Sequence, residues 1–406
     1  MSADPALTAP VAAPGADSPR TLYVSVVARA ANRLATETLT FAIPLLIYSA
    51  TQSLAWSGLT LALEWLPRLA GIPAAGPLVD RYGARRCLVI AEIARVMLLL
   101  GALAGVLLVP AAWLVLVLLA LAIGAFGQAS YIAVEKLGVQ INGSKPIAWT
   151  QSVQAGIDQT AMVAGPFVAG VLVVWGPVWT LAAMLVLVLI SMVLCRRLPE
   201  QESGPRSRRS AWEELTAGVR GVRRNPALVH IVLSTAAFNL LAGLILGMTP
   251  AYVEDRFGLT ASSSSIVRTA GAAASLAVIL VMTRLAARLD IVRVGLVSGL
   301  LACAGAVAAG LSPGFAPFLV WTCVFLGAEG AFACFLRIAR ARVIPVAEFG
   351  VTVSAVVLLV QVPYPIAGVL LAATPLGNVP LLMAACVLAC VAVTLFSFSR
   401  LRRLPS

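Results

Sequence analysis

Arg29, Arg33, Glu37, Glu64, Arg68, Asp158 and Glu329 stand inside otherwise apolar stretches of this chain. An ionisable group near the middle of a bilayer costs about 2.5 kcal/mol or more, so it faces a polar cavity or finds a partner. A carboxyl group in such a place holds a proton while its surroundings are dry and releases it when water or a cation arrives. The chemistry on offer is reversible protonation. Arg29, Arg33 and Glu37 fall four apart and share one helix face, with Glu37 near mid-depth. Glu64 and Arg68 also share a face, Asp158 lies halfway along its stretch, and Glu329 has no basic residue within one helical turn. Plainer readings compete: fixed pairs Arg33–Glu37 and Glu64–Arg68, and an Asp158 that hydrogen-bonds Gln154 or Thr160.

The elements that must hold these groups are membrane helices. Of 406 residues, 60% are hydrophobic and 11% charged, against about 25% charged in soluble domains. A bilayer core needs about 20 apolar residues per helix. Such runs recur near 21–49, 53–75, 87–109, 112–134, 147–174, 177–195, 227–252, 262–286, 291–311, 315–337, 347–373 and 378–398. They predict an all-α membrane protein of twelve transmembrane helices. The roughly ten-residue alternating segments of a β-barrel are absent. The longest polar interruption, 196–226, splits the chain into a six-helix half at 21–195 and another at 227–399. Residues 1–20 read as a disordered cytoplasmic tail, and 400–406 as a second tail. Within the linker, "SAWEELTAGVRGVRR" is amphipathic, with Trp212, Leu215 and Val219 on one side, and is expected either along the inner membrane surface or as a solvated loop.

Charge placement orients the chain. The net charge of +12 sits in alternate breaks, at Arg81, Arg85 and Arg86, at Lys136 and Lys145, from Arg196 to Arg224, at Arg284, Arg288 and Arg293, and at Arg337, Arg340 and Arg342. That alternation is the positive-inside pattern, which places both termini in the cytoplasm and argues against a nucleic-acid-binding face. The other breaks carry almost no charge, with Glu254 to Arg256 as the exception. The seven cysteines form no CxxC pair, His230 is the single histidine, and no GxxxxGK[ST] loop is present. Metal, redox and nucleotide-driven chemistry therefore have no sequence support.

The break after the second run reads "GPLVDRYGARRCL". Gly76, Leu78, Asp80, Arg81, Gly83, Arg85 and Leu88 resemble the G-x-L-a-D-r-x-G-r-k-x-x-l pattern of the major facilitator superfamily at the same loop, with Ala84 in place of a basic residue. Glycines permit close approach and reversal, and Asp80 can accept from Arg85 or cap a helix terminus. Gly76, Asp80, Arg81, Gly83 and Arg85 thus make a candidate conformational latch. In the fifth run, Gly165, Pro166 and Gly170 resemble part of that family's antiporter pattern, with Ala161 and Ala169 replacing two glycines. "FAIPLLIYSATQSLAWSGLTLALEWLPRLAGIPAAGPLVDRYGARR" is similar to the drug, macrolide and siderophore exporter branch.

The resemblance implies a secondary exporter of a small amphipathic or hydrophobic compound, driven by proton antiport through alternating access. The alternatives within the fold are an uptake carrier, a lysolipid flippase and a non-transporting sensor. It further implies a monomer in the cytoplasmic (inner) membrane, in contact with lipid, with no cofactor beyond the proton gradient. In that fold the first and tenth helices line the cavity, so Glu37, Asp158 and Glu329, with Arg33, are the expected proton-coupling group. Gln128, Tyr131, Asn239 and Gln361 are candidate pocket residues, each with a competing role as a helix contact.

Overall fold

The computed structural model describes residues 18–140, 147–199, 211–260, 262–285, 290–344 and 349–401, and among these it is helical with no strand. The first half contains α1 (Pro19–Thr51), α2 (Leu54–Tyr82), α3 (Ala84–Leu108), α4 (Ala112–Gln140), α5 (Ile147–Val173) and α6 (Pro177–Arg196). A short helix, α7 (Ala211–Arg224), follows. The second half contains α8 (Pro226–Ala251), α9 (Ser263–Leu285), α10 (Ile291–Gly310), α11 (Phe315–Val343), α12 (Phe349–Gln361), α13 (Pro363–Ala372) and α14 (Val379–Leu401). Eleven helical stretches among the described residues are long and apolar enough to cross a membrane. α2 is not one of them, because Glu64, Arg68, Trp56 and Trp65 dilute its 29 residues.

Local chemistry sets the ends. α1 begins earlier than the sequence suggests, at Pro19, where Ser18 accepts from the Thr21 amide at 3.1 Å and the proline supplies a preset first turn. Of the tail expected at 1–20, Pro19 and Arg20 belong to α1, and residues 1–17 lie outside those described. Asn225 caps α8 and Asp290 caps α10 in the same way. The single apolar run expected at 347–373 is two helices, because Pro363 and Pro365 lack the amides that would continue the ladder. Asn239 of α8 donates to the Val360 carbonyl at 2.6 Å beside this break.

Two of the apolar clusters are the largest. One joins α1, α3, α4 and α6 through Leu39, Ile43, Leu99, Leu116, Ala120, Met184 and Val188. The other joins the helices of the second half through Phe238, Leu241, Phe325, Phe332 and Phe335, and takes in Tyr48 and Leu54 from the first half. Leu107, Leu118, Phe167, Leu381 and Leu388 are exposed; in a chain with this many apolar helices, such faces belong against lipid. In the linker helix α7, Leu215, Val219 and Val222 pack into a cluster with Leu228, Val232, Val356 and Val360. Trp212 alone of the anticipated face stays exposed.

Candidate functional site

α1 carries the first charged cluster. Arg29 donates to Asp158 of α5 from Nη2 at 2.7 Å and Nε at 3.2 Å, and to Gln154 from Nη1 at 3.1 Å. One turn along, Arg33 pairs with Glu37 at 2.7 Å and places Nε 3.1 Å from Asp158. Its guanidinium lies over the Tyr131 ring, 5.1 Å from the centroid. Asp158 is therefore held by two arginines from another helix, not by its neighbours Gln154 or Thr160 as the sequence allowed, and Thr160 donates instead to the Gly156 carbonyl. Glu37 keeps 24%, Asp158 17% and Arg33 13% of their side chains exposed. Gly165 brings α5 against α1 here, since a Cβ at that position would lie 2.6 Å from the Glu37 Cβ.

On α2, Glu64 accepts from Arg68 at 3.0 Å and from Thr40 at 3.1 Å, while its second oxygen is buried with no partner. Arg68 lies over Trp65, 4.7 Å from the ring centroid, and Trp65 stacks on Tyr364 of α13 at 4.2 Å and 6°. That stack joins the two halves. Behind it, Tyr364 sits in the electrostatic field of Arg268 on α9, Glu329 on α11 and Arg68. Arg268 of α9, unremarked in the sequence, buries an Nε that has no hydrogen-bond partner.

A third network escaped the sequence reading entirely. Asn32 of α1 donates to Glu92 of α3 at 2.6 Å and to Ser130 of α4 at 2.7 Å, and Ser130 donates to Glu92 at 2.6 Å. Arg95 donates to Glu92 at 3.1 Å and to Thr36 at 3.0 Å. Both charged side chains are fully buried.

The halves also meet at the end of the bundle where α1 finishes and α2 starts. Tyr48 donates to Asp255, and Gln52 donates to Glu254 at 2.7 Å. The one charged break that departed from the sequence's alternation thus grips α1. Gly58 of α2 faces Gly368 of α13, where a Cβ would lie 2.7 Å from the Gly368 carbonyl. Gly170 of α5 faces Ser265 of α9 without room for a Cβ. Gly165 and Gly170 act as close-packing positions on opposite partners, and Pro166 is buried inside α5.

The anticipated latch is described in part. Gly76 and Asp80 fall within α2, and the Asp80 side chain lies outside those described. Gly83 joins α2 to α3 at φ +86°, a conformation that glycine adopts freely. Arg81 lies over Tyr82, and Arg85 donates to the Arg196 carbonyl at the end of α6 at 3.0 Å. Of the pocket candidates, Tyr131 joins the first cluster and Gln128 is half-buried beside Gly71. Gln361 has a buried, unpartnered carbonyl oxygen. Asn239 is a helix contact, because its amide is committed to Val360.

Residues 26–361 match a family model described as Major Facilitator Superfamily. No curated protein sequence matches the chain. Among solved structures, the nucleoside transporter NupG superposes with a TM-score of 0.73 at 12% identity, covering 96% of this chain and 100% of its own. A bacterial homolog of the human lysosomal transporter Spinster gives 0.72 at 14%, covering 94% and 96% respectively. A bacterial homologue of the iron transporter ferroportin gives 0.66 at 17%, covering 94% and 99%.

Proposed function

Because the chain belongs to the Major Facilitator Superfamily, and is thus a multi-pass membrane transporter rather than an enzyme, we propose that it exports a small amphipathic or hydrophobic compound in exchange for protons. This reading counts α2 as a twelfth span and sets six helices against six, rocking about a midplane site. It places the protein as a monomer in the cytoplasmic membrane, with both termini inside, on the strength of the alternating basic breaks.

The observation that carries the proposal is the partly exposed charged group Arg33, Glu37, Asp158 and Arg68 on apolar helices, with Arg68 over the Trp65 ring that stacks on Tyr364. Carboxylates that keep contact with water while surrounded by apolar helices can trade a proton for a cargo. Glu37, Asp158 and Glu329 are the assigned proton-coupling acids. Gly76, Asp80, Arg81, Gly83 and Arg85 form the assigned latch that releases between conformers. An amphipathic cargo fits a surround of Ala, Val and Leu better than a sugar, whose hydroxyls need many fixed hydrogen-bond partners.

The test uses everted membrane vesicles and a cargo identified by susceptibility screening of cells lacking the protein. Adding cargo should collapse an imposed pH gradient, and Glu329→Gln should abolish that collapse. Cargo movement without any proton movement overturns the coupling, and movement only in the uptake direction overturns export. Asp80→Asn should cripple turnover while cargo binding survives.

A further inference from the structure

Glu64 on α2 is a buried acid joined by direct contacts to the second half. Its side chain is 2% exposed. Both of its donors, Arg68 Nη2 at 3.0 Å and Thr40 Oγ1 at 3.1 Å, go to Oε1, and Oε2 is buried with no hydrogen-bond partner. An ionised carboxylate has about four acceptor positions to fill, and leaving one oxygen bare in a dry site is costly. Asp158 differs, since arginine nitrogens reach both of its oxygens. Glu92 also leaves Oε2 bare, but its other oxygen takes three donors, all from the first half. Behind Glu64 the backbone is clamped, because a Cβ on Gly124 of α4 would lie 2.3 Å from the Glu64 carbonyl oxygen. A change of charge on Glu64 is therefore answered by side chains. Arg68 has two alternatives to the carboxylate, the Thr40 hydroxyl at 3.4 Å and the face of Trp65, 4.7 Å from the ring centroid. Trp65 in turn stacks on Tyr364 of α13, across the halves, at 4.2 Å and 6°. At this level of α2, α1 turns Glu37 to the same side as Thr40, α13 brings Tyr364, and α4 and α8 bring Gly124 and Gly247. Glu92 and Arg95 of α3 are taken up by α1 and α4.

We propose that Glu64 is a further proton-binding acid of the transport cycle, whose protonation moves Arg68 from the carboxylate onto Trp65 and so strengthens the contact of α2 with α13. This rests on the proton-exchange reading and adds a residue to it. One proton from water bonds to Oε2. No covalent bond breaks, the carboxyl group becomes neutral and Arg68 keeps its charge. Oε2 then carries its own hydrogen, and the guanidinium, no longer shared with an anion, has the electron-rich ring as its strongest remaining partner. Trp65 is thereby held where it stacks on Tyr364, and the halves stay closed along α2 and α13. Loss of the proton returns Arg68 to Glu64 and releases that hold.

The full chain, purified in detergent without cargo, is titrated across about pH 5 to 9 and followed by two measurements. Infrared difference spectra report protonated carboxyl groups, and one titrating band should be missing from Glu64→Gln. A Ser57→Cys protein, whose reporter is buried on α2 beside Gly58, is labelled with a thiol reagent, and its rate at each pH is divided by that of the unfolded chain. Labelling should be slower at the acid end by about two- to fivefold, the weight of one cation–ring contact. Glu64→Gln should keep the slow rate at every pH. Trp65→Leu should keep the titrating band and lose the pH dependence of labelling, which tests the same link with Glu64 in place. An unaltered set of bands in Glu64→Gln, no pH dependence in the parent, or the same pH dependence in parent and variants overturns the proposal. Cargo-driven proton movement that persists in Glu64→Gln vesicles removes Glu64 and leaves proton exchange standing. Cargo movement without protons, in a protein whose Glu64 still titrates and still slows labelling, overturns the exchange reading alone.

Discussion

α1 serves two charge networks from neighbouring faces. Asn32 and Thr36 reach the pair Glu92–Arg95, which is fully buried, while Arg29, Arg33 and Glu37 reach Asp158 in a cluster whose Arg33, Glu37 and Asp158 side chains stay 13 to 24% exposed. The residue types are alike, an arginine held against a carboxylate. Their surroundings differ: α1, α3 and α4 enclose the first pair, whereas the second lies where α5 meets α1. A sealed pair cannot exchange protons or ligands with water, so its free energy goes into assembling the first half. A less buried cluster costs less to rearrange, which a group that must change partners during a cycle requires.

The sharpest way to break this contrast is to leave one buried charge alone. Glu92→Leu or Arg95→Leu should each destabilise the protein by about 3–5 kcal/mol, because the survivor keeps its charge in a dry site. The double replacement by apolar residues of similar volume should recover most of that loss. Thermal unfolding of the purified variants checks both. If the single changes cost no more than those in the exposed cluster, the two networks are not different in kind.

Next in size is the packing that sets which end of the bundle is closed. Gly170→Ala puts a methyl group where the Ser265 side chain stands, and overpacking of this kind costs about 1–3 kcal/mol. The cost falls on the conformer in which α5 touches α9, so the population should shift toward one in which that end opens. Faster labelling of a Ser57→Cys reporter, buried at the same end, is the expected outcome. Unchanged labelling with unchanged stability would mean that the Gly170–Ser265 contact is slack.

In the exposed cluster the expected effect on stability is smaller and the effect on function larger. Asp158→Asn removes the carboxylate shared by Arg29 and Arg33, at about 1 kcal/mol for a pair in contact with water. Transport should nonetheless fall about tenfold or more, since two arginines then face each other with Glu37 as the nearest acid; a tenfold loss is about 1.4 kcal/mol of barrier. A variant that unfolds as early as Glu92→Leu would place Asp158 with the structural network.

These partners also show where the sequence is readable. The pairs Arg33–Glu37 and Glu64–Arg68 were visible because four residues bring side chains together on one helix. Apolar run lengths marked the spans for the same reason, as length and hydropathy are local properties. Asp158 could be found but not its partner, because the bond to Arg29 joins residues 129 apart. Glu92 and Arg95 lie inside the third run three residues apart, and only tertiary packing against α1 and α4 seals both. Arg268 was hidden likewise near the start of its run. The break at Pro363 was legible in principle, since a proline pair inside a helical run removes amides, and the Asn239 amide that answers it lies on another helix.

The smallest expected effect tests how the two regions are coupled. Tyr48 donates to Asp255 at the end of the bundle where the two halves meet. Tyr48→Phe deletes the hydroxyl and leaves the ring packed among Leu54, Leu244 and Met248 in the second core. The loss should be about 0.5–1.5 kcal/mol, the net value of one hydrogen bond, and it weakens the closed conformer specifically. Such a loss changes the ratio of open to closed molecules by a factor of about 2 to 12. The Ser57→Cys reporter should therefore label faster, while the unfolding temperature stays near that of the parent, because Glu92–Arg95 and both apolar cores are untouched. If Tyr48→Phe lowers the unfolding temperature as much as a core substitution and leaves labelling unchanged, the Tyr48–Asp255 bond belongs to the static framework, and control of access to the cluster must reside in the glycine contacts at Gly58 and Gly170.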